Sequence, residues 1–350
     1  MNILYGVAGV GYGHSSRAML VIRHLEKAGH KVKVISYGDG YRALKDEFDC
    51  IEANSLDIVF DKGVVKKRKT VSRNVKNVSK ELLNWPKFHR MVRVFKPSVC
   101  ITDMESIVPI ISYWNDIPLI SIDNQHALTN LRMKVPFKYL KDYFVAKNIV
   151  KRIVKRADKF IVSSFGGAKV RKKGTVVIPP IVRDEVTRLK VKNGKKILVY
   201  LSKSDEGSLD VLRDFPEEFV VYGFDKAKKK GNLQFCRRGS FLKDLASCKC
   251  VIGTAGFSLM GEAIYLGKPY LAIPLKGQFE QVSNALFLEG AGFGGYCLEL
   301  NEKDVGNFLY HLGKYRARLE GASFEQGKLF RTIDSCLRKF EGRKVWGTSF

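Results

Sequence analysis

Short apolar runs and amphipathic stretches alternate along the chain. Residues 3–8 form a mostly apolar run of strand length, 15–28 carry apolar positions at helical spacing, and 31–37 read as a second strand. Ser15 or Ser16 is the expected cap of that helix, and Gly29 follows its end. The pattern predicts a strand-helix-strand unit. Further strands are expected at 99–102, 119–122 and 160–163, with Pro97 and Pro118 at loop entries. Residues 174–196, rich in Pro, Gly and charge, read as a linker. Alternation then resumes, with strands at 197–201, 219–222, 250–253 and 270–273. The expected helices are 208–215, 241–246, 258–266, 281–289, 303–313 and 325–340.

Such alternation in both halves predicts an α/β protein with two doubly wound, mostly parallel sheets covered by helices and facing each other across a cleft. The expected division is 1–175, 176–325 and a last helix in 326–350 that packs back on the first domain. At 350 residues and 45% hydrophobic, the chain can fill two cores. Its seven cysteines show neither CxxC pairs nor zinc-type spacing, which predicts reduced thiols in a cytoplasmic setting. No signal-like leader or run of spanning length is read, so the expectation is a soluble or peripheral protein.

Chemistry concentrates in two glycine turns. The first, Gly9-Val10-Gly11-Tyr12-Gly13-His14, joins the first strand to the first helix. A dinucleotide fingerprint fails in register, since His14 stands where its third glycine belongs, and Asp39 is too distant to be its acid. The alternative is a turn at which Gly11 and Gly13 allow close approach of a ligand while His14 enters the cleft as a general base. Such a base needs a carboxylate on its other nitrogen. Asp103 and Asp123 both end apolar strands, and either can supply it.

The second turn lies in VIGTAGFSLMGEAIYLGKPYLAIPLKGQFEQVSNALFLEGAG, residues 251–292. A diphosphate at its helix start would meet free N–H groups and the hydroxyls of Thr254 and Ser258. Glu262 can accept from ribose hydroxyls, and Glu280, Gln281 and Asn284 from or to those of a sugar. This block, together with the glycine-histidine turn, resembles the inverting nucleotide-sugar glycosyltransferases of the GT-B fold, made of two Rossmann-like domains, and within them the MurG-like N-acetylglucosaminyltransferases. The resemblance implies that Gly256, Phe257 and Ser258 bind the diphosphate, Glu262 the ribose, and Glu280-Gln281 with Asn284 the sugar. It further implies His14 as the cleft base and Asp103 as its partner, and a base-recognition loop over 239–242 that includes Phe241. Departures are Thr254 where relatives have Arg or His, Glu280 in place of a glutamine, and Ser202 opening a 202–207 segment that replaces a glycine-rich loop.

Charge adds a partner. The formal net charge is +26, and residues 62–96 hold twelve Lys or Arg against the single acid Glu81, interleaved with Trp85 and Phe88. A second basic stretch covers 137–157, with an apolar stripe at helical spacing. Both favour an anionic membrane surface, and the resemblance implies a lipid-linked acceptor on the cytoplasmic face. The function expected is therefore metal-independent transfer of N-acetylglucosamine or another hexose from a nucleoside diphosphate donor, UDP-linked, to a lipid-linked or membrane-associated hydroxyl. The nucleotide sugar is a co-substrate and no cofactor is expected. The alternatives are a nucleotide-sugar epimerase of the same architecture and a basic nucleic-acid-binding protein, although no RNA- or DNA-reading signature is present.

Overall fold

The computed structural model describes residues 1–10, 12–54, 60–61, 64–65, 84–166, 168–201, 206–322 and 324–342. Its first half runs β1 (Asn2–Val7), α1 (Gly13–Lys27), β2 (Lys31–Ser36), α2 (Gly38–Leu44), β3 (Cys50–Glu52), β4 (Phe60–Asp61), β5 (Val64–Val65), α3 (84–95), β6 (Val99–Asp103), α4 (Ile107–Trp114), β7 (Leu119–Asp123), α5 (Ala127–Asn130), α6 (Leu140–Ile153), β8 (Lys159–Ser163) and β9 (Thr175–Ile178). The second half runs α7 (Asp184–Thr187), β10 (Ile197–Tyr200), β11 (Phe219–Tyr222), β12 (Lys228–Lys230), β13 (Leu233–Phe235), α8 (Phe241–Ser247), β14 (Val251–Thr254), α9 (Phe257–Tyr265), β15 (Tyr270–Ile273), α10 (Phe279–Ala291), β16 (Gly294–Tyr296), α11 (Glu302–Tyr310), α12 (Leu312–Glu320) and α13 (Gly327–Phe340).

Two seven-stranded sheets result. The first has the order β3-β2-β1-β6-β7-β8-β9 and is parallel throughout. The second has the order β12-β13-β11-β10-β14-β15-β16, parallel except for the β12-β13 edge. The strands are apolar on both faces because helices cover both. In the first sheet, Ile3, Tyr5 and Val7 meet Ala18, Val21 and Leu25 of α1 on one side. Leu4 and Cys100 meet Phe88 of α3 and Val108 of α4 on the other. Helix α13 closes the first of these layers, with Leu329, Ile333, Cys336 and Leu337 spaced to fall on one helical face.

Three expectations change. Ser15 and Ser16 do not cap α1: their hydroxyls donate to the Tyr12 carbonyl at 3.1 and 2.8 Å, and the helix starts at Gly13. Residues 206–214 form a 3-10 helix, since Gly207, Ser208 and Asp210 are poor α-formers and a three-residue repeat aligns the buried Leu209 and Leu212. Segment 174–196 is not plain linker: it holds the edge strand β9 and the short helix α7, and the chain leaves the first sheet only after Ile178. All seven cysteines are free. No described helix is long and apolar enough to cross a membrane.

Candidate functional site

In the first sheet the strand order reverses between β1 and β6, which lie side by side with Val7 opposite Asp103. A crevice opens outside the carboxyl ends of strands at such a point. The turn after β1 delivers His14 there, and β6 ends on Asp103. His14 Nδ1 lies 2.7 Å from Asp103 Oδ1. An ionised carboxylate only accepts, so Nδ1 carries the proton and Nε2 is the nitrogen left for a substrate. Asp103 is fully buried; burial pushes its carboxyl up, but the charges and hydrogen bonds of Arg17 and His14 outweigh this and hold it below its ordinary value. Directly after it, Met104 has φ +53°, a costly conformation that turns the chain sharply at the crevice.

Asp123, the competing partner, is occupied elsewhere. Its Oδ2 lies 2.7 Å from His126 Nδ1 and accepts from Ser121 Oγ at 2.7 Å, all within the core. Asp39 sits in the first turn of α2 and pairs with Arg42. Gly9 is required by crowding: a Cβ there would lie 1.8 Å from the Tyr37 carbonyl oxygen. Gly11 lies outside the described residues.

The second sheet reverses between β10 and β14, and its glycine turn follows β14. The Thr254 carbonyl accepts from Gly256 N and from the Tyr270 hydroxyl, both at 2.8 Å. Asn284 Nδ2 donates to the Ala255 carbonyl at 3.0 Å. The turn is thus held rigid while α9 starts at Phe257 without a side-chain cap. A Cβ on Gly256 would meet nothing within 4 Å, so the space beside this residue is open. Anions favour such an end, where N–H groups lack helical partners.

The remaining donor candidates divide. Ser258 faces the other lobe, its Oγ 2.9 Å from where a Cβ of Gly13 would stand. Glu280 accepts from Asn124 Nδ2 at 3.2 Å and Gln125 Nε2 at 3.1 Å. Gln281 accepts from the Leu275 amide at 3.0 Å and so braces its own loop, as Asn284 braces the turn. Glu262 is buried and held by the Arg183 fork at 2.6 and 3.0 Å. Phe241 packs edge-on against Tyr200 and Tyr222 at 5.6 and 5.0 Å. Ser202 lies outside the described residues.

The two crevices meet. Phe165, after β8, packs against Phe257 at 4.8 Å, and Tyr143 of α6 against Phe279 at 5.9 Å. Gln125 Nε2 lies 3.5 Å from His14 Nε2 while it bonds Glu280. Four participants escaped the sequence: Arg17, Asn124, Gln125 and Arg183. Arg17 had a signal, one helical turn after His14 on the same face; the others have none without the fold. An open groove of about 1100 Å³, lined by Lys31, Val32, Lys87 and Arg90 among others, lies at the amino ends of the first sheet's strands, away from this contact.

The model of glycosyl transferase family 1 matches residues 1–313. Proteins named uncharacterized glycosyltransferases from Methanosarcina acetivorans and Methanosarcina mazei are 25% and 24% identical, each match covering 84% of this chain and 85% of the relative. Among solved structures, the glycotransferase of kitacinnamycin superposes with a TM-score of 0.70 at 15% identity, over 97% of this chain and 98% of its own. MurG of Acinetobacter baumannii superposes at 0.61 and 16% identity, over 95% and 99%. Both are likenesses of fold, and the arrangement they share is that of GT-B enzymes.

Proposed function

The chain belongs to glycosyl transferase family 1, and on that premise we propose that it moves N-acetylglucosamine or another hexose from a UDP-linked donor to a hydroxyl of a lipid-linked or membrane-associated acceptor, with inversion and without a metal ion. The observation that supports this reading is the meeting of the two crevices: the turn that carries His14 comes against Ser258 of α9 at Gly13, and Gln125, 3.5 Å from His14 Nε2, donates to Glu280 of α10.

In the proposed reaction the acceptor hydroxyl gives its proton to His14 Nε2 as its oxygen attacks the anomeric carbon. The bond to the diphosphate breaks on the opposite face, so one displacement inverts the centre. Asp103 stabilises the imidazolium, and the amides at the start of α9 with the Thr254 and Ser258 hydroxyls receive the charge of the leaving group. Glu280 faces the acceptor lobe and suits a sugar hydroxyl. Ribose hydroxyls would take over the Glu262 oxygens that Arg183 now holds.

Helices α3, α4 and α6 support the membrane-associated acceptor. Helices α3 and α4, linked by Trp85 against Trp114 at 4.8 Å, expose Val94, Ile110, Tyr113 and Trp114 along with Lys87, Arg90 and Arg93, and α6 exposes Phe144 and Ile149 along with Lys151 and Arg152. Each cation near an anionic leaflet contributes about 1 kcal/mol. The apolar stripe of 137–157 packs inward, with Tyr139, Tyr143, Ala146 and Val150 in one cluster and Ile153, Val154 and Ala157 in another, whereas Phe144 and Ile149, which lie off that stripe, face out. Of the basic stretch 62–96, Lys62 and the cations of 66–83 lie outside the described residues. The comparisons give no support to the epimerase or nucleic-acid readings.

A thermal-shift panel of UDP, thymidine diphosphate and UDP-N-acetylglucosamine tests donor binding, since a ligand at 100 times its Kd adds about 2.7 kcal/mol. His14→Ala is expected to keep the nucleotide shift and lose transfer by on the order of 10²- to 10⁴-fold. A panel without any shift overturns the donor assignment. Salt-sensitive sedimentation with phosphatidylglycerol vesicles checks the membrane surface, and its absence removes that part.

A further inference from the structure

We propose that Arg17 is a positioning residue for His14: its guanidinium locks the Asp103 carboxylate from both oxygens, so that the imidazole holds its proton on Nδ1 and keeps Nε2 as the base toward the opposite lobe. This rests on the reading of His14 as the transferase base.

Three residues from two elements form the unit. His14 and Arg17 are three apart on α1 and share one face, and Asp103 ends the neighbouring strand. Arg17 Nε donates to Asp103 Oδ2 at 2.7 Å and its Nη2 to Oδ1 at 2.6 Å. Oδ1 is also the atom that receives His14 Nδ1–H, which leaves Arg17 Nη2 and His14 Nδ1 only 3.2 Å apart. Arg17 is 6% exposed and Asp103 not at all.

The geometry has two consequences. A carboxylate bonded to His14 alone can rotate about its side chain; one gripped at both oxygens by a planar fork cannot, so Oδ1 stays on the imidazole. The fork also balances the buried carboxylate, which would otherwise face only the part-buried ring. The other groups turned toward this unit are the buried Tyr5 of β1, Asp123 of β7 and Gln125. Asp123 is engaged by His126, and Gln125 carries amide donors toward Nε2, which fits an unprotonated nitrogen there.

A purely structural ion pair would affect stability and leave the imidazole as it is. The test is therefore the ring ¹⁵N–¹H spectrum of histidine-labelled protein, in which His14→Gln identifies one of the six histidines. Wild type is expected to show His14 as the Nδ1–H tautomer. Arg17→Met is expected to convert a large share of that signal to the Nε2–H tautomer or an exchange average, and Arg17→Lys to recover most of it. Should Arg17→Met fail to fold, Arg17→Gln, neutral but still a donor, is expected to give the same conversion. A His14 signature unchanged in the folded neutral variant overturns the proposal.

Activity is a second readout: kcat is expected to fall about tenfold in the neutral variants, with donor KM little changed, as for a small misplacement of a reacting group. If wild type neither binds nucleotides nor transfers sugar while the tautomer responds as expected, the transferase reading fails and the positioning relation stands.

Discussion

At the residue scale, local pattern cannot choose between Asp103 and Asp123, because each closes a five-residue apolar strand. Strand order chooses. β6 borders β1 and brings Asp103 beneath His14, whereas β7 is one strand farther and its aspartate is absorbed by His126, three residues on. Both carboxyls lie below their ordinary value against the opposing effect of burial, because a cation or imidazole and hydrogen bonds favour the charged form. The sign of the pH dependence follows. The unfolded chain takes up these protons near the usual aspartate value of about 3.9, the folded protein only at lower pH, so acid favours unfolding. The stabilisation is complete above that value and declines as pH falls through it toward the folded values. Melting temperature is expected to drop steeply below about pH 4. In Asp103→Asn the drop is shallower, from a lower starting point at neutral pH because Arg17 is left buried without its anion. An equally steep acid slope in that variant would exclude Asp103 as a source.

At the element scale, the two glycine turns were legible because a strand running into glycines and then a helix is spelled out in contiguous residues. What escaped was set by distant contacts. β9 is a strand because β8 offers it an edge, with Phe160 to Ser163 opposite Thr175 to Ile178. The 3-10 helix at 206–214 follows from which leucines the second core can take. The expected sugar readers Gln281 and Asn284 turned out to brace backbone, since a glycine turn without bulky side chains needs support from a neighbouring helix, and α10 provides it. Gly256 is the position where fold and proposed function separate. Its φ of −72° suits any residue and its Cβ direction is open, so Gly256→Leu is expected to fold with nearly the wild-type melting temperature. The added side chain then occupies the space at the start of α9, and the nucleoside diphosphate shift is expected to vanish. Retention of that shift would place the diphosphate elsewhere.

At the scale of the whole molecule, the lobes are joined twice, by the outgoing segment at 179–183 and by the return before α13. Gln326 ties them, accepting from Val182 N at 3.0 Å and donating to the Pro180 carbonyl at 3.1 Å. The alternation of strands and helices made both sheets readable; the expectation that the last helix packs back on the first domain has no such local pattern behind it, because which lobe receives a helix is a matter of surface left over. The family match ends at residue 313, before α13, yet α13 lies on β8 and β9 and closes the core beside α1. His24 of α1 reinforces this, its Nε2 2.8 Å from Asp334 Oδ1 and its ring stacked on Phe330 at 4.5 Å. A chain ended after Gly321 would keep every residue named for the donor and the base. It would nevertheless strip Leu329, Ile333, Cys336 and Leu337 from the first sheet. At roughly 1.5 to 3 kcal/mol for each large apolar side chain, the loss is comparable to the whole stability of an ordinary domain, about 5 to 15 kcal/mol. The truncated protein is expected to lose cooperative unfolding of the first lobe, read as broadened amide exchange over β1, β6 and β8, while the second sheet stays protected. Full protection of β8 without α13 would show that this helix only decorates the lobe it covers.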